Sequence, residues 1–156
     1  MYVLLPVVVL AALMGLYSMA RVPAAHVVQP RAELMMQAQA ALFVSYRNAV
    51  VAYVTANPAF VGAVPVSALV RPATVAALPG QGNQVVATPS GQGRVIYVWA
   101  ALPAGTASQA ARATSGDLSY GVVSGNAWVS PVAGAMGALG VAVPAGDVVS
   151  ICQIGV

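Results

Sequence analysis

Hydrophobic and polar positions change their spacing twice along this chain of 156 residues. Residues 2–20 carry no charged side chain, residues 31–56 mix apolar and polar positions at helical spacing, and the rest consists of short apolar runs separated by glycine and proline. These three patterns indicate a membrane segment, a packed amphipathic helix and a set of β-strands. The sequence therefore predicts an N-terminal apolar segment followed by an α+β domain over residues 31–156.

The N-terminal segment, YVLLPVVVLAALMGLYSMA, has the length of a transmembrane helix. As a helix it spans about 28 Å, close to the thickness of a bilayer core. A cleaved signal peptide is the alternative, because Ser18 and Ala20 are small residues of the kind that precede a cleavage site. The absence of a basic start and the length of the apolar run favour an uncleaved anchor over residues 1–20.

Residues 21–30 form a predicted linker that ends at Pro30 and carries the single histidine of the chain, His26. No second histidine, and no nearby cysteine or carboxylate at ligand spacing, accompanies His26. We therefore interpret it as an exposed linker residue and predict neither a metal site nor a catalytic site there.

A long helix is predicted from about Pro30 to Ala56, because Pro30 suits a first helical turn and Asn57-Pro58 ends a helix. At 100° per residue, one face gathers Met35, Leu42, Tyr46, Ala49 and Tyr53. The opposite face gathers Glu33, Gln37, Arg47, Asn48 and Thr55. The first face, flanked by Phe43, Val50 and Val54, is expected to pack on the sheet, and the two tyrosines are interpreted mainly as core residues.

Beyond Pro58 the punctuation by glycine and proline predicts an antiparallel sheet. The predicted strands are residues 84–88, 94–102, 118–124, 127–130, 141–143 and 148–154, with a short helix over residues 106–114 and a loop over residues 133–140. Both faces of the 94–102 strand are apolar, so we expect this strand to be central, with the long helix on one side of it. The predicted fold class is α+β, with one long helix packed on an antiparallel β-sheet.

Charge is scarce and widely spaced, which excludes several functions. Charged residues make up 6% of the chain, and all six basic residues are arginines that stand singly, so no nucleic-acid surface is predicted. Of the three acids, Glu33 is interpreted as a partner of the helix dipole and Asp117 and Asp147 as turn residues that follow glycine.

Catalytic pairs are conceivable but not favoured. A pair of carboxylates from Asp117 and Asp147 would require adjoining turns, and a Cys152–His26 pair would require a linker residue to reach a strand. Cys152, the single cysteine, lies among apolar residues and is expected to be a buried thiol. No enzyme activity, cofactor or metal is therefore predicted.

The order of these features resembles the PilM family of type IVB, or thin, conjugative pilus systems. The resemblance runs from about Gln37 to Val149, and its most specific part is YRNAV with Tyr53, Asn57-Pro58, Gly62 and Pro65. The segments VIYVWA and VPAGDVVSI also match the pattern. The resemblance implies a small inner-membrane protein with a periplasmic domain, in the pilus basal body or the pilin transport apparatus, and it carries over no catalytic residue.

We therefore expect a non-enzymatic, inner-membrane-anchored component of a pilus assembly apparatus, which acts through contacts with other pilus assembly proteins or pilin. A homo-oligomer is compatible with this expectation. Tyr46, Arg47, Asn48 and Tyr53 are the candidate contact or structural residues, and Arg47 has Asp117 or Asp147 as a possible partner. Arg21 and Arg31, which follow the apolar segment, weakly favour a cytoplasmic domain by the positive-inside rule, whereas the resemblance implies a periplasmic one, which we expect.

Two alternatives remain open at the level of the sequence. A minor pilin or pseudopilin also places a long helix before an antiparallel sheet. It would need a basic leader that ends in glycine and, usually, a glutamate early in the mature apolar segment, whereas no leader precedes Tyr2 and residues 2–20 hold no acid. A secreted binding domain with a cleaved signal peptide is the other alternative.

Overall fold

The computed structural model describes residues 31–70, 77–89 and 91–155 of the chain. The predicted anchor over residues 1–20 and the predicted linker over residues 21–30 lie outside these ranges. Among the helices that the structure describes, none combines the length and the apolar composition needed to cross a membrane.

The described residues form an α+β fold with an antiparallel sheet, as the sequence predicts. The helices are α1 (Arg31–Ala56) and α2 (Gly105–Ala113), and a short 3-10 turn covers Val66–Ala68. The strands are β1 (Gly82–Ala87), β2 (Arg94–Ala100), β3 (Tyr120–Ser124), β4 (Ala127–Ser130), β5 (Gly134–Ala138) and β6 (Val148–Ile154). Both predicted helices are confirmed to within a residue or two of their ends.

The strands lie in the order β1-β2-β6-β3-β4-β5, and every neighbouring pair is antiparallel. The most C-terminal of the described strands, β6, is therefore inserted between β2 and β3. β2 pairs on both sides, with β1 and with β6, which confirms that the most apolar predicted strand is an interior one.

Helix α1 packs on one face of the sheet through a line of fully buried side chains. That line consists of Phe43, Tyr46, Val50 and Val54, and it meets Val85, Ile96, Val98 and Val148 of the sheet. The predicted contact face is right in part: Tyr46 is buried, and the apolar flank supplies the rest of the line, but Met35 is 63% exposed and Tyr53 is only half-buried. Apolar and small residues surround most of α1, so sequence spacing does not fix which line is buried and the fit to the sheet decides it.

Two predicted segments differ in the structure. Residues 134–138, GAMGA, are expected as part of a loop but form strand β5, whereas residues 141–143 are expected as a strand but make no strand pairing. Glycine and alanine have weak strand preference, so β5 forms because its backbone pairs with β4. Val143 is apolar for a different reason, since it packs over Trp128 and Val149 on the sheet face opposite the helices.

The sheet face opposite the helices, called the second face below, carries two tryptophan rings that lie against glycines. The ring of Trp99 covers Gly82, and that of Trp128 covers Gly121, so closely that a Cβ at either glycine would lie within 2.6 Å of ring atoms. The glycines therefore leave room that the tryptophans fill, and the second face has a small core of its own beneath Leu139 and Val143.

Arg94, at the start of β2, closes the C-terminal end of α1. Its Nη1 donates hydrogen bonds to the carbonyl oxygens of Val54 at 3.0 Å and Asn57 at 2.9 Å. Carbonyls in the last turn of a helix lack partners within the helix and carry the negative end of its dipole. One guanidinium thus contacts a carbonyl of the last turn and another just beyond the helix, and it ties the end of α1 to the sheet.

We expect Arg94→Met to lower the free energy of unfolding by about 2 kcal/mol, because two charge-assisted hydrogen bonds, one of them partly buried, are lost. Urea denaturation followed by circular dichroism measures the change. Arg112→Met, at an exposed arginine of α2, is the matched control and should shift stability by less than about 0.5 kcal/mol. Equal effects of the two substitutions would contradict this role of Arg94.

Candidate functional site

The carboxylate pair that the sequence made conceivable, Asp117 with Asp147, does not assemble in the structure. Asp117 lies just before β3 begins, whereas Asp147 lies beside its other end, where its carbonyl oxygen accepts a hydrogen bond from Val123 N at 2.9 Å. The described residues hold no group of three or more histidine, cysteine or acidic side chains that could bind a metal. His26 lies outside the described residues.

Asp147 and Cys152 are both shielded from solvent, in part or in full. Burial raises the pKa of the Asp147 carboxyl above its ordinary value. Cys152, expected to be buried, is half-buried instead, because its strand neighbours cover it incompletely. Burial raises the pKa of its thiol, and the nearby Arg47 guanidinium opposes that rise.

Tyr46, the first candidate contact residue, is fully buried. It belongs to a group of hydrogen bonds among Tyr46, Asn83 and Val64, which we call the polar clamp. Its hydroxyl oxygen accepts a hydrogen bond from Asn83 Nδ2 at 2.9 Å. The same Nδ2 donates to Val64 O at 3.0 Å, and Asn83 Oδ1 accepts from Val64 N at 2.7 Å. Asn83 therefore holds the segment after α1 against both the helix and β1, and Tyr46 has a structural role.

The clamp closes one edge of the sheet. Two residues before Val64, Gly62 exchanges backbone hydrogen bonds with Val85 of β1, each of 2.9 Å. Gly62 adopts a φ of 115°, which side-chain-bearing residues rarely adopt. The outer edge of β1 is thus paired at this point by a segment of the same chain.

Arg47, the second candidate, turns toward the sheet and pairs with Asp117, one of the two partners expected for it. Its Nη2 lies 3.7 Å from Asp117 Oδ2, and its guanidinium carbon lies 5.8 Å from the centre of the Tyr120 ring. Its Nη1 also donates to Asn48 Oδ1 at 3.2 Å. The long side chain turns back along the helix because an acceptor and an aromatic face lie there.

We expect Arg47→Met to lower the free energy of unfolding by about 1–2 kcal/mol, since a half-buried ion pair and a cation–π contact are lost. The same change removes the charge that opposes the raised pKa of Cys152, so its thiolate fraction falls and alkylation by iodoacetamide at pH 8 slows. Arg47→Lys keeps the charge and serves as the control. Faster alkylation in Arg47→Met than in Arg47→Lys would contradict the electrostatic link.

The other two candidates differ in exposure. Asn48 is exposed on the outer face of α1, whereas Tyr53 is half-buried and meets Phe60 edge to face, with ring centres 5.3 Å apart. Beside Tyr53 a shallow groove of about 190 Å³ runs between Ala52 and Val70. Of the four candidates, Asn48 alone is exposed, and the other three are partly or wholly engaged in the fold.

Asn83 and Arg94 carry the most informative polar contacts, and the sequence analysis missed both. Asn83 had a detectable signal, because the period-two spacing that turns Val85 toward the core also turns Asn83 inward. A polar residue at a core position needs hydrogen-bond partners. No sequence signal marked Arg94, because the carbonyl oxygens that it contacts lie 40 and 37 residues earlier in the chain.

The far end of the sheet is open. β5 is the terminal strand, and all of its residues are exposed except the half-buried Met136. Next to it, a groove of about 290 Å³ separates the end of α2, with Arg112, from Pro131 and Val132. The described surface at this end combines a strand edge, apolar side chains and one cation.

Comparison with known proteins gives a consistent answer. The PilM family model matches residues 8–151. A crystal structure described as PilM from Escherichia coli B7A superposes with a TM-score of 0.54 and 17% identity, over 82% of this chain and 99% of that one. At that identity the likeness shows a shared fold. No curated protein matches the chain.

Proposed function

Because this chain belongs to the PilM family and is a pilus-related protein, we propose that it is a non-enzymatic component of a type IVB pilus assembly apparatus. In this proposal residues 1–20 anchor it in the inner membrane, and the domain after the linker lies in the periplasm. It acts through contacts with other pilus assembly proteins or pilin. The family match over residues 8–151 is the observation that carries the proposal.

Most of the described polar side chains with defined contacts bond to other parts of the same domain, which supports a role in assembly. Asn83 and Tyr46 bond each other, Arg94 caps α1, and Arg47 pairs with Asp117. These groups hold the fold together. The outward surfaces of the described domain include an uncharged strand edge and a small-residue helix face, both suited to contact with protein.

The anchoring part of the proposal depends on the sequence. Residues 2–20 are free of charge and long enough to cross a bilayer core as a helix. Intact mass and membrane fractionation of the native chain test it. A full-length chain that stays in the inner membrane after carbonate extraction is the expected result. A chain shortened near Ala20 and free in the periplasm would contradict anchoring and make the segment a signal peptide.

Deleting the gene from a host with an otherwise intact pilus cluster tests the assembly role. We expect cells without pili by electron microscopy, and full recovery when the chain is supplied from a plasmid. Normal pili in the deletion strain would contradict the proposal.

A filament subunit is the second candidate, because α1 precedes an antiparallel sheet, as the long helix of a pilin does. Sheared and purified filaments distinguish the two roles. An assembly component stays with the cells, whereas a minor pilin is recovered in the filament fraction.

A further inference from the structure

The two edges of the sheet are treated differently by the chain. At β1, Gly62 pairs with Val85 through two backbone hydrogen bonds of 2.9 Å. At the opposite end, no described strand pairs with the outer edge of β5. The sequence of β5, GAMGA, holds no charged residue and no proline, the residue types that proteins commonly use to block an edge strand. β5 thus offers an open row of backbone donors and acceptors.

Apolar surface continues from this edge onto the helix side of the sheet. Val129 of β4 pairs with Val122, which packs under the helices, so Val129 faces the helix side as well. The helices do not reach it, because Val129 is 43% exposed and Val132, in the turn before β5, is 55% exposed. Together with the groove beside Val132, these side chains form an apolar shelf along the open edge.

Arg112 gives the shelf its charge. It lies in the last turn of α2 and lines the groove. Among the described residues its guanidinium has no ion pair or side-chain hydrogen bond. A carboxylate that entered the groove would therefore find a cation without competing for an existing partner.

Resting on the proposed assembly function, we infer that the edge of β5 and the Arg112 groove bind an extended segment of another pilus protein. The segment adds a strand to β5, places an apolar side chain on the shelf formed by Val129 and Val132, and directs a carboxylate to Arg112. Strand addition supplies affinity through main-chain hydrogen bonds, and the adjoining groove supplies specificity.

The lack of an acidic residue on β5 favours a different protein, and not a second copy of this chain, as the occupant of the edge. Two β5 strands paired about a two-fold axis would bring like elements together, and β5 carries no acid that could reach Arg112 of the other copy. The extra residue that shifts the register between β4 and β5 also bends the edge, which limits continuous pairing of two identical strands. An acidic, extended partner meets neither obstacle.

Charge substitutions that leave the fold intact test the inference. Ala135→Lys, on exposed β5, and Arg112→Glu, in the groove, are each expected to lower pilus number at least about tenfold in the deletion strain. Ala87→Lys, at an exposed position on the closed edge, and Arg31→Glu, at the start of α1, are the matched controls and should restore pili. Thermal unfolding of all four purified chains checks that none has lost the fold.

Photo-crosslinking in pilus-producing cells identifies the occupant. With benzoylphenylalanine at position 135, we expect an adduct with an acidic, extended segment of another pilus protein, which Arg112→Glu abolishes, and no adduct from position 87. An adduct between two copies of this chain, or none from position 135, would overturn the inference. Full recovery of pili by Ala135→Lys and Arg112→Glu would overturn it as well while leaving the assembly role intact, whereas pili in the deletion strain itself would overturn both.

Discussion

Replacing Asn83 with alanine is expected to lower the free energy of unfolding by about 3 kcal/mol. The substitution removes the hydrogen bonds to Val64 N, Val64 O and the Tyr46 hydroxyl, which lie at 2.7, 3.0 and 2.9 Å from the amide of Asn83. Each buried backbone group that is left without a partner costs about 1–3 kcal/mol. Asn83 is 6% exposed, so water cannot readily replace the lost bonds.

Tyr46→Phe is the matched comparison for that substitution. It removes the hydroxyl but leaves the two bonds between Asn83 and Val64, so we expect a loss of about 1 kcal/mol. Urea denaturation of the two single variants and the double variant gives the coupling between the side chains. If Asn83→Ala were no more damaging than Tyr46→Phe, the loop contacts of Asn83 would be unimportant for stability.

Loss of Asn83 should also open the edge of β1. Hydrogen exchange at the amides of Gly62 and Val85, which bond each other's carbonyls, reports on this pairing. We expect both amides to lose protection in Asn83→Ala beyond the change in global stability. Such a variant would expose a second unpaired edge and should aggregate more readily than the native chain.

Replacing Gly121 with valine is expected to be still more damaging, with a loss of more than about 3 kcal/mol or failure to fold. A Cβ at this position would lie 2.5 Å from the Trp128 ring and 2.5 Å from the Val129 carbonyl oxygen. The ring could turn aside, but the carbonyl belongs to the backbone of the neighbouring strand. Relief would therefore require β3 and β4 to separate.

Gly137→Val is the matched control, because a Cβ at Gly137 meets no atom within 4 Å. We expect this control to change stability by less than about 0.5 kcal/mol. Near-ultraviolet circular dichroism, which reports the packing of Trp99 and Trp128, and urea denaturation measure both variants. Native spectra and native stability in Gly121→Val would contradict the packing described for the second face.

The elements that are predicted well from the sequence are those with clear end signals or with a long run of residues that favour one type of secondary structure. α1 is marked at both ends by proline, and β2 and β6 are rich in β-branched and aromatic residues, so their local preference agrees with their place in the fold. The hairpin between β3 and β4 has a local cause as well, since the turn pair Gly125-Asn126 joins the two strands directly.

The features that sequence could not supply depend on distant partners. β5 has little strand preference of its own and becomes a strand because β4 lies beside it. The buried line of α1 depends on how the helix meets the sheet, and Arg47 is turned by Asp117 and Tyr120, which lie about 70 residues later. Of the four candidate residues chosen from the sequence, Tyr46 and Arg47 lie at informative positions, but their described contacts are internal.

The position of β6 in the sheet determines when during synthesis this domain can finish folding. β1 and β2 form one antiparallel pair and β3, β4 and β5 form a second group, and in the described sheet β6 is the strand that joins them. Both groups leave the ribosome before residues 148–154 do, so the finished sheet must wait until β6 has been translated. A chain released early would carry two half-sheets with unsatisfied inner edges, the kind of product that quality-control proteases remove.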